Sequence, residues 1–103
     1  MERKMKKNSQ EMLVQTEEAS RLLKALSNEH RLIILCSIVE DDFTVNELSE
    51  ITNLSQSSVS QHLKLLSDKS IVSPRKIGNK VIYKITDSKV KALLVLMHAL
   101  FCS

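Results

Sequence analysis

A mainly helical domain carrying one β-hairpin, ordered α-α-α-α-β-β-α, is the fold class predicted by three features of the sequence. The 103 residues include one glycine and one proline, so few positions interrupt a helix. Apolar residues recur at three- and four-residue intervals over most of the chain, which is the helical period. Only the stretch 71–86 changes to an alternating pattern, and it contains both Pro74 and Gly78. A chain this short has room for one small domain, which excludes a large two-domain enzyme.

Residues 1–10 carry five charges and almost no apolar periodicity. They are expected to form a flexible basic tail, or alternatively an arm that touches DNA, ahead of a folded unit over 11–103. From Glu11 to Leu26, the spacing of Leu13, Ala19, Leu22, Leu23 and Leu26 predicts a first amphipathic helix. Ser27 or Asn28 can cap a second, whose Leu32, Ile33, Leu35, Cys36 and Val39 form a wide apolar face ending at Glu40, Asp41 and Asp42. Thr44 and Glu47 have the capping-box spacing and open a short third helix through Val45, Leu48 and Ile51. After a turn at 52–54, Ser55 caps a fourth helix running to about Lys69. Its Val59, Leu63 and Leu66 fall within about 60° of one another and make the inward stripe.

Beyond it, Ile71 to Ile77 and Lys80 to Thr86 flank Gly78-Asn79 as two strands of a hairpin. Gly78 supplies the positive φ of a two-residue turn, and Pro74 marks its strand as an edge. Asp87 caps the last helix, in which Val90, Leu93, Leu94, Val95, Leu96, Met97, Leu100 and Phe101 cover most of the circumference. At about half the length needed to span a bilayer, this helix is expected to be buried. One small chain cannot cover it, so a twofold partner is expected to.

Two short helices joined by a tight polar turn, the second rich in small hydrogen-bonding side chains and followed by a basic hairpin, describe a winged helix-turn-helix. Opposite the inward stripe of the fourth helix lie Ser57, Gln61 and Lys64, flanked by Ser58 and Ser60, with Gln56 at the exposed first turn. Such side chains are short enough for a helix to enter a major groove and read base edges, while Lys64 suits a phosphate. The plainer alternative is that the serines cap and solvate. On the hairpin, Arg75, Lys76, Lys80 and Lys84 surround the Gly78-Asn79 tip, where cations reach the phosphate backbone, or else form a solvated basic loop. His62, at the border of the stripe, is read as a packed or backbone-bonded imidazole.

The charge distribution agrees: residues 1–54 hold seven Lys/Arg against ten Asp/Glu, and residues 55–103 hold eight against two. The basic start runs into polar residues rather than an apolar segment, so no secretion signal is read and a cytoplasmic protein is expected. No catalytic constellation, phosphate-cradling glycine loop or paired-ligand metal spacing is present, so neither an enzyme nor a cofactor is expected.

Residues 23–35, LKALSNEHRLIIL, and 54–63, LSQSSVSQHL, with the wing that follows, resemble the arsenic-repressor (ArsR/SmtB) family of bacterial regulators. The likeness spans Ala19 to Cys102. It implies a homodimeric winged-helix repressor that pairs through its first and last helices and sets two recognition helices on a near-palindromic double-stranded operator, about one helical turn apart. The family's metal sites do not carry over. Where its third-helix cysteines would fall stand Ser49 and Ile51, and where its last-helix histidines would fall stand Lys89 and Leu100.

Cys36 and Cys102 instead resemble the cysteine pair of the HlyU, BigR and SqrR subgroup of thiol-based sensors. That likeness implies a regulator released from DNA when reactive sulfur species or oxidants join Cys36 to Cys102 through a disulfide or polysulfide. Other readings stay open at this point. Both cysteines could be ordinary small hydrophobes. His98, four residues before Cys102, is either a packing residue or an imidazolium that lowers the thiol pKa. A thiophilic metal could be held by Cys36, Cys102 and His98. The domain could also be an unregulated winged-helix interaction module.

Overall fold

Each helix after the first begins where a side-chain acceptor precedes an apolar period. A computed structural model describes residues 2–102, with side chains from residue 9 onward, and resolves α1 (Glu2–Leu26), α2 (Glu29–Glu40), α3 (Val45–Thr52), α4 (Gln56–Asp68), β1 (Val72–Ile77), β2 (Lys80–Ile85) and α5 (Ser88–Phe101). Asn28, rather than Ser27, caps α2 by accepting from the Arg31 amide at 3.0 Å. Thr44 and Glu47 close a full capping box on α3. Ser55 caps α4, and Asp87 accepts from the Lys89 and Val90 amides at the head of α5. These side chains satisfy amides that the first helical turn leaves without partners.

One expectation needs correction. The backbone is helical from Glu2, so α1 begins earlier than the Glu11 at which the apolar period starts. Residues 2–10 contain no glycine or proline and several strong helix formers, and extending an existing helix fixes one residue per hydrogen bond gained. The side chains of 2–8, on which a DNA-touching arm would depend, lie outside the described residues. At its other end α1 is closed by α2: Arg31 donates through Nε to the Ala25 carbonyl at 2.6 Å and through Nη2 to that of Lys24 at 3.5 Å.

The core gathers Ile34, Leu35 and Ile38 of α2, Leu48 of α3, Val59, Leu63 and Leu66 of α4, Ile71 and Val72 at the start of the hairpin, and Val90 and Leu94 of α5. Every fully buried residue among those described is apolar. From α1, Ala25 and Leu26 are buried in this core and Leu22 packs against it.

The last helix is therefore buried on one face only. Val95, Leu96, Leu100 and Phe101 are 54%, 55%, 67% and 81% exposed in the single chain, as expected of a helix too apolar for one small chain to cover. Lys89 at the head of α5 donates to Glu18 of α1 at 2.9 Å. Between the two helices runs an apolar groove of about 620 Å³, lined by Ala19, Leu22, Ala92, Leu93 and Leu96. No helix among the described residues is long and apolar enough to cross a membrane.

The hairpin closes in the expected register, with Ile77 opposite Lys80 and Gly78 at φ +62°. The free edge of β2 takes one bridge from Thr44 to Ile82, which leaves β1 and its Pro74 as the outer edge. A charge pair between Asp42 and Lys84 ties the same α2–α3 connection to β2. The wing is thus fastened at its root to the end of α2 and left free at its tip.

Candidate nucleic-acid interface and thiol pair

Helix α4 owes its orientation to three side chains. Val59, Leu63 and Leu66 have no exposed surface, so the opposite face must point outward. On that face Ser57, Ser60, Gln61 and Lys64 are exposed, and so is Gln56 on the first turn. Ser58 is half-buried and its hydroxyl accepts from that of Ser55 at 3.0 Å, so it belongs to the cap as much as to the outer face. Lys64 reaches Asp68 at 3.4 Å, one turn along the helix.

The connection that aims α4 is itself fixed. Asn53 takes the left-handed conformation at φ +60°, which asparagine tolerates better than most residues. The Thr52 hydroxyl donates to the Leu48 carbonyl at 2.8 Å and accepts from the Leu54 amide at 3.2 Å. Across the turn, Gln56 Nε2 donates to Asn46 Oδ1 at 2.8 Å, joining the first turns of α3 and α4.

Of the four hairpin cations, Arg75, Lys76 and Lys80 are exposed around the tip. Lys80 is close enough to Glu47 that its charge, after the two hydrogen bonds with Thr44, helps hold that carboxyl below its usual range. Lys84 departs from the expectation. It lies opposite Ser73 near the hairpin root, half-buried and paired with Asp42, not at the tip. His62 is half-buried with its ring 6.1 Å from that of His30, away from the polar face. Burial first, then the charges of Arg31 and His30, push its pKa down.

The two cysteines are free thiols. Cys36 is half-buried on α2, and Cys102 is the exposed C-terminal cap of α5, where its amide bonds the His98 carbonyl at 2.9 Å. Burial raises the Cys36 pKa, and the charges of Cys102 and then Glu40 raise it further. Cys102, far along the sequence from Cys36, thus lies close enough for its charge to bear on that thiol. His98 Nε2 stands 3.9 Å from Glu40 Oε1, linking α5 to α2 one turn from each cysteine. Exposed as it is, that pair adds little stability, but it fixes which side chains are neighbours. Among the described residues no three of His, Cys, Asp and Glu are gathered as a metal ion would need.

Three participants escape the sequence reading. Glu40 could have been noticed from its place one turn after Cys36, and Asn46 from its place as a polar residue on the first turn of α3. No local signal pairs Asp42 with Lys84, because their contact depends on how the wing packs.

Similarity to known proteins agrees with this geometry. The family model for "Bacterial regulatory protein, arsR family" matches residues 28–73, which hold α2, α3 and α4. The transcriptional activator HlyU of Vibrio cholerae is 43% identical over 92% of this chain and 88% of its own. The reduced form of HlyU superposes with a TM-score of 0.86 at 42% identity, over 91% of this chain and 99% of that one. The biofilm growth-associated repressor of Xylella fastidiosa is 32% identical over 91% of this chain and 82% of its own. A homodimeric winged helix-turn-helix DNA-binding domain of Mycobacterium bovis superposes with a TM-score of 0.71 at 25% identity, over 85% of this chain and 82% of that one. A polar helix turned outward beside a basic wing, on a chain this similar to HlyU along nearly its whole length, makes the protein a winged helix-turn-helix transcriptional regulator of the ArsR family.

Proposed function

We propose that the protein is a cytoplasmic repressor that binds a near-palindromic operator as a homodimer and leaves it when Cys36 and Cys102 become linked. The observation that carries the reading is the His98–Glu40 contact at 3.9 Å, which holds α5 beside α2 within one turn of Cys102 and of Cys36, in a chain whose α4 faces outward.

Pairing rests on the exposed apolar face of α5 and the groove beside α1, with a homodimeric relative as precedent. Covering that face removes apolar surface from water in both copies at once. The two α4 helices then present Gln56, Ser57, Ser58, Ser60, Gln61 and Lys64 to successive major grooves, and Arg75, Lys76 and Lys80 neutralise flanking phosphates.

An oxidant takes two electrons and two protons from the thiols to leave a disulfide. A polysulfide is itself the oxidant: one thiolate attacks its chain and displaces a shorter polysulfide. The second thiolate then attacks the persulfide chain so formed on the first and expels hydrogen sulfide, leaving a disulfide or, where an added sulfur is retained, a trisulfide. Closing the bridge draws the end of α5 onto α2. Because α5 carries the dimer surface and α2 leads through Asp42 and Thr44 to the wing, the separation of the two recognition helices changes. One relative is named an activator and another a repressor, and release from DNA serves either outcome, according to where the operator lies.

The DNA-binding half is tested by anisotropy titrations across salt concentrations, on a duplex selected from a random library by the reduced protein. Arg75→Ala and Lys80→Ala should each flatten the log–log salt slope by nearly one unit for every phosphate they no longer neutralise. Lys84→Ala should leave the slope in place, since its charge is already engaged by Asp42. A wild-type protein whose binding ignores salt, or a Lys84→Ala slope change equal to that of Lys80→Ala, would contradict this assignment.

A further inference from the structure

We propose that Asn46, on the first turn of α3, is a positioning residue for DNA reading. It fixes the Gln56 amide before the duplex arrives and offers its own amide N–H to the phosphate backbone. The inference rests on the reading of α4 as the DNA-recognition helix, and it adds a residue from the preceding helix to that surface.

A glutamine amide has two N–H donors and one carbonyl oxygen. In this structure one Gln56 donor is committed to Asn46 Oδ1 at 2.8 Å, across ten residues of sequence. What remains is one N–H and the oxygen, the donor and acceptor that adenine N7 and N6–H₂ require in the major groove.

Both residues are exposed, so the bond fills no gap in the core and brings little burial. Its effect is to select one orientation of a long, flexible side chain that would otherwise lose its freedom on binding. Asn46 is itself on the first helical turn beside the Thr44–Glu47 box, at the end of α3 where a phosphate is favoured by the helix dipole. With its oxygen given to Gln56, the atoms it has left to present are donors, which suit a phosphate oxygen and not a second base acceptor.

The test uses the full-length reduced protein and a panel of duplexes, each changed at one base pair of the selected operator. Wild type, Gln56→Ala, Asn46→Ala and Asn46→Asp are titrated against every member. Gln56→Ala should abolish the preference at one base pair of each half-site, normally worth about tenfold or more in affinity. Asn46→Ala should reduce that same preference to about threefold or less while leaving the other positions alone, because it removes the orientation and no base contact. Asn46→Asp keeps the acceptor for Gln56 and removes the donor. It should retain the preference and weaken binding to all sequences alike, with a steeper loss at low salt, where charge repulsion is least screened.

Full retention of the preference in Asn46→Ala would reduce the bond to a brace between two helices and overturn the proposal. Unchanged preference in Gln56→Ala would overturn it as well, since there would be no reader to orient. In either case tight, salt-sensitive binding by the wild type would show that the DNA-binding reading itself stands. Failure of the wild type to bind any duplex would sink that reading instead.

Discussion

Leu96→Glu is expected to convert the protein to monomers and to abolish tight operator binding. Leu96 is 55% exposed in the single chain and lines the groove between α1 and α5, so the substitution leaves the fold of one subunit intact. In a twofold dimer the change is made twice. Losing the burial of two leucine side chains removes roughly 4 kcal/mol, before any cost of placing carboxylates in the contact. That corresponds to a dissociation constant for the dimer raised about a thousandfold. A monomer holds one α4 and one wing, so the second half-site no longer contributes. Sedimentation of the wild type and variant, with circular dichroism as the control for folding, measures the first effect, and anisotropy titration the second. A variant that stays dimeric would place the interface elsewhere.

The second large effect lies in α4. Leu63→Ala should cost about 2–5 kcal/mol, because Leu63 has no exposed surface and packs among Ile34, Leu35, Leu48 and the other core residues. For a domain of this size that lowers the melting temperature by at least about 10 °C. The neighbouring Leu65 is 37% exposed, and Leu65→Ala should cost less than about 1 kcal/mol. The contrast has a functional meaning, since it reports which side of α4 faces the core and therefore which side is offered to DNA. Melting is compared at one fixed protein concentration, because the proposed dimerisation would make the transition concentration-dependent. Equal losses from both substitutions would mean that α4 is rotated from the orientation described.

Much of this arrangement was legible because it is local. The caps at Asn28, Thr44, Ser55 and Asp87 depend on residues within three positions of one another, and the Val59, Leu63, Leu66 stripe follows from helical period alone. Gly78 marked the turn for the same reason. The extent of α1 was misjudged because a polar sequence lacks apolar period without lacking helix propensity.

Placement of charged side chains was legible only in part. Arg75, Lys76 and Lys80 sit next to the turn in sequence and so around it in space, whereas the position of Lys84 depends on Asp42, which precedes it by more than one whole element. The neighbourhood of Cys36 and Cys102 could come only from resemblance, since no periodicity relates residues so far apart in sequence. The Glu40–His98 contact, one turn from each of them, became visible once α5 was seen to cross α2.

The proposed regulation turns on whether joining Cys36 to Cys102 changes the hold on DNA. The direct measurement takes one preparation of reduced protein, treats it with a polysulfide, and records intact mass and affinity for the selected duplex on the same sample. The expected mass is that of two lost hydrogens, with or without added sulfur. Affinity should fall about tenfold or more, a coupling within the usual range for two-state regulators, and return on reduction with a thiol. Cys36→Ser, which cannot close the bridge, should keep its duplex throughout. A fully bridged protein that binds as tightly as the reduced one would contradict thiol control of DNA binding.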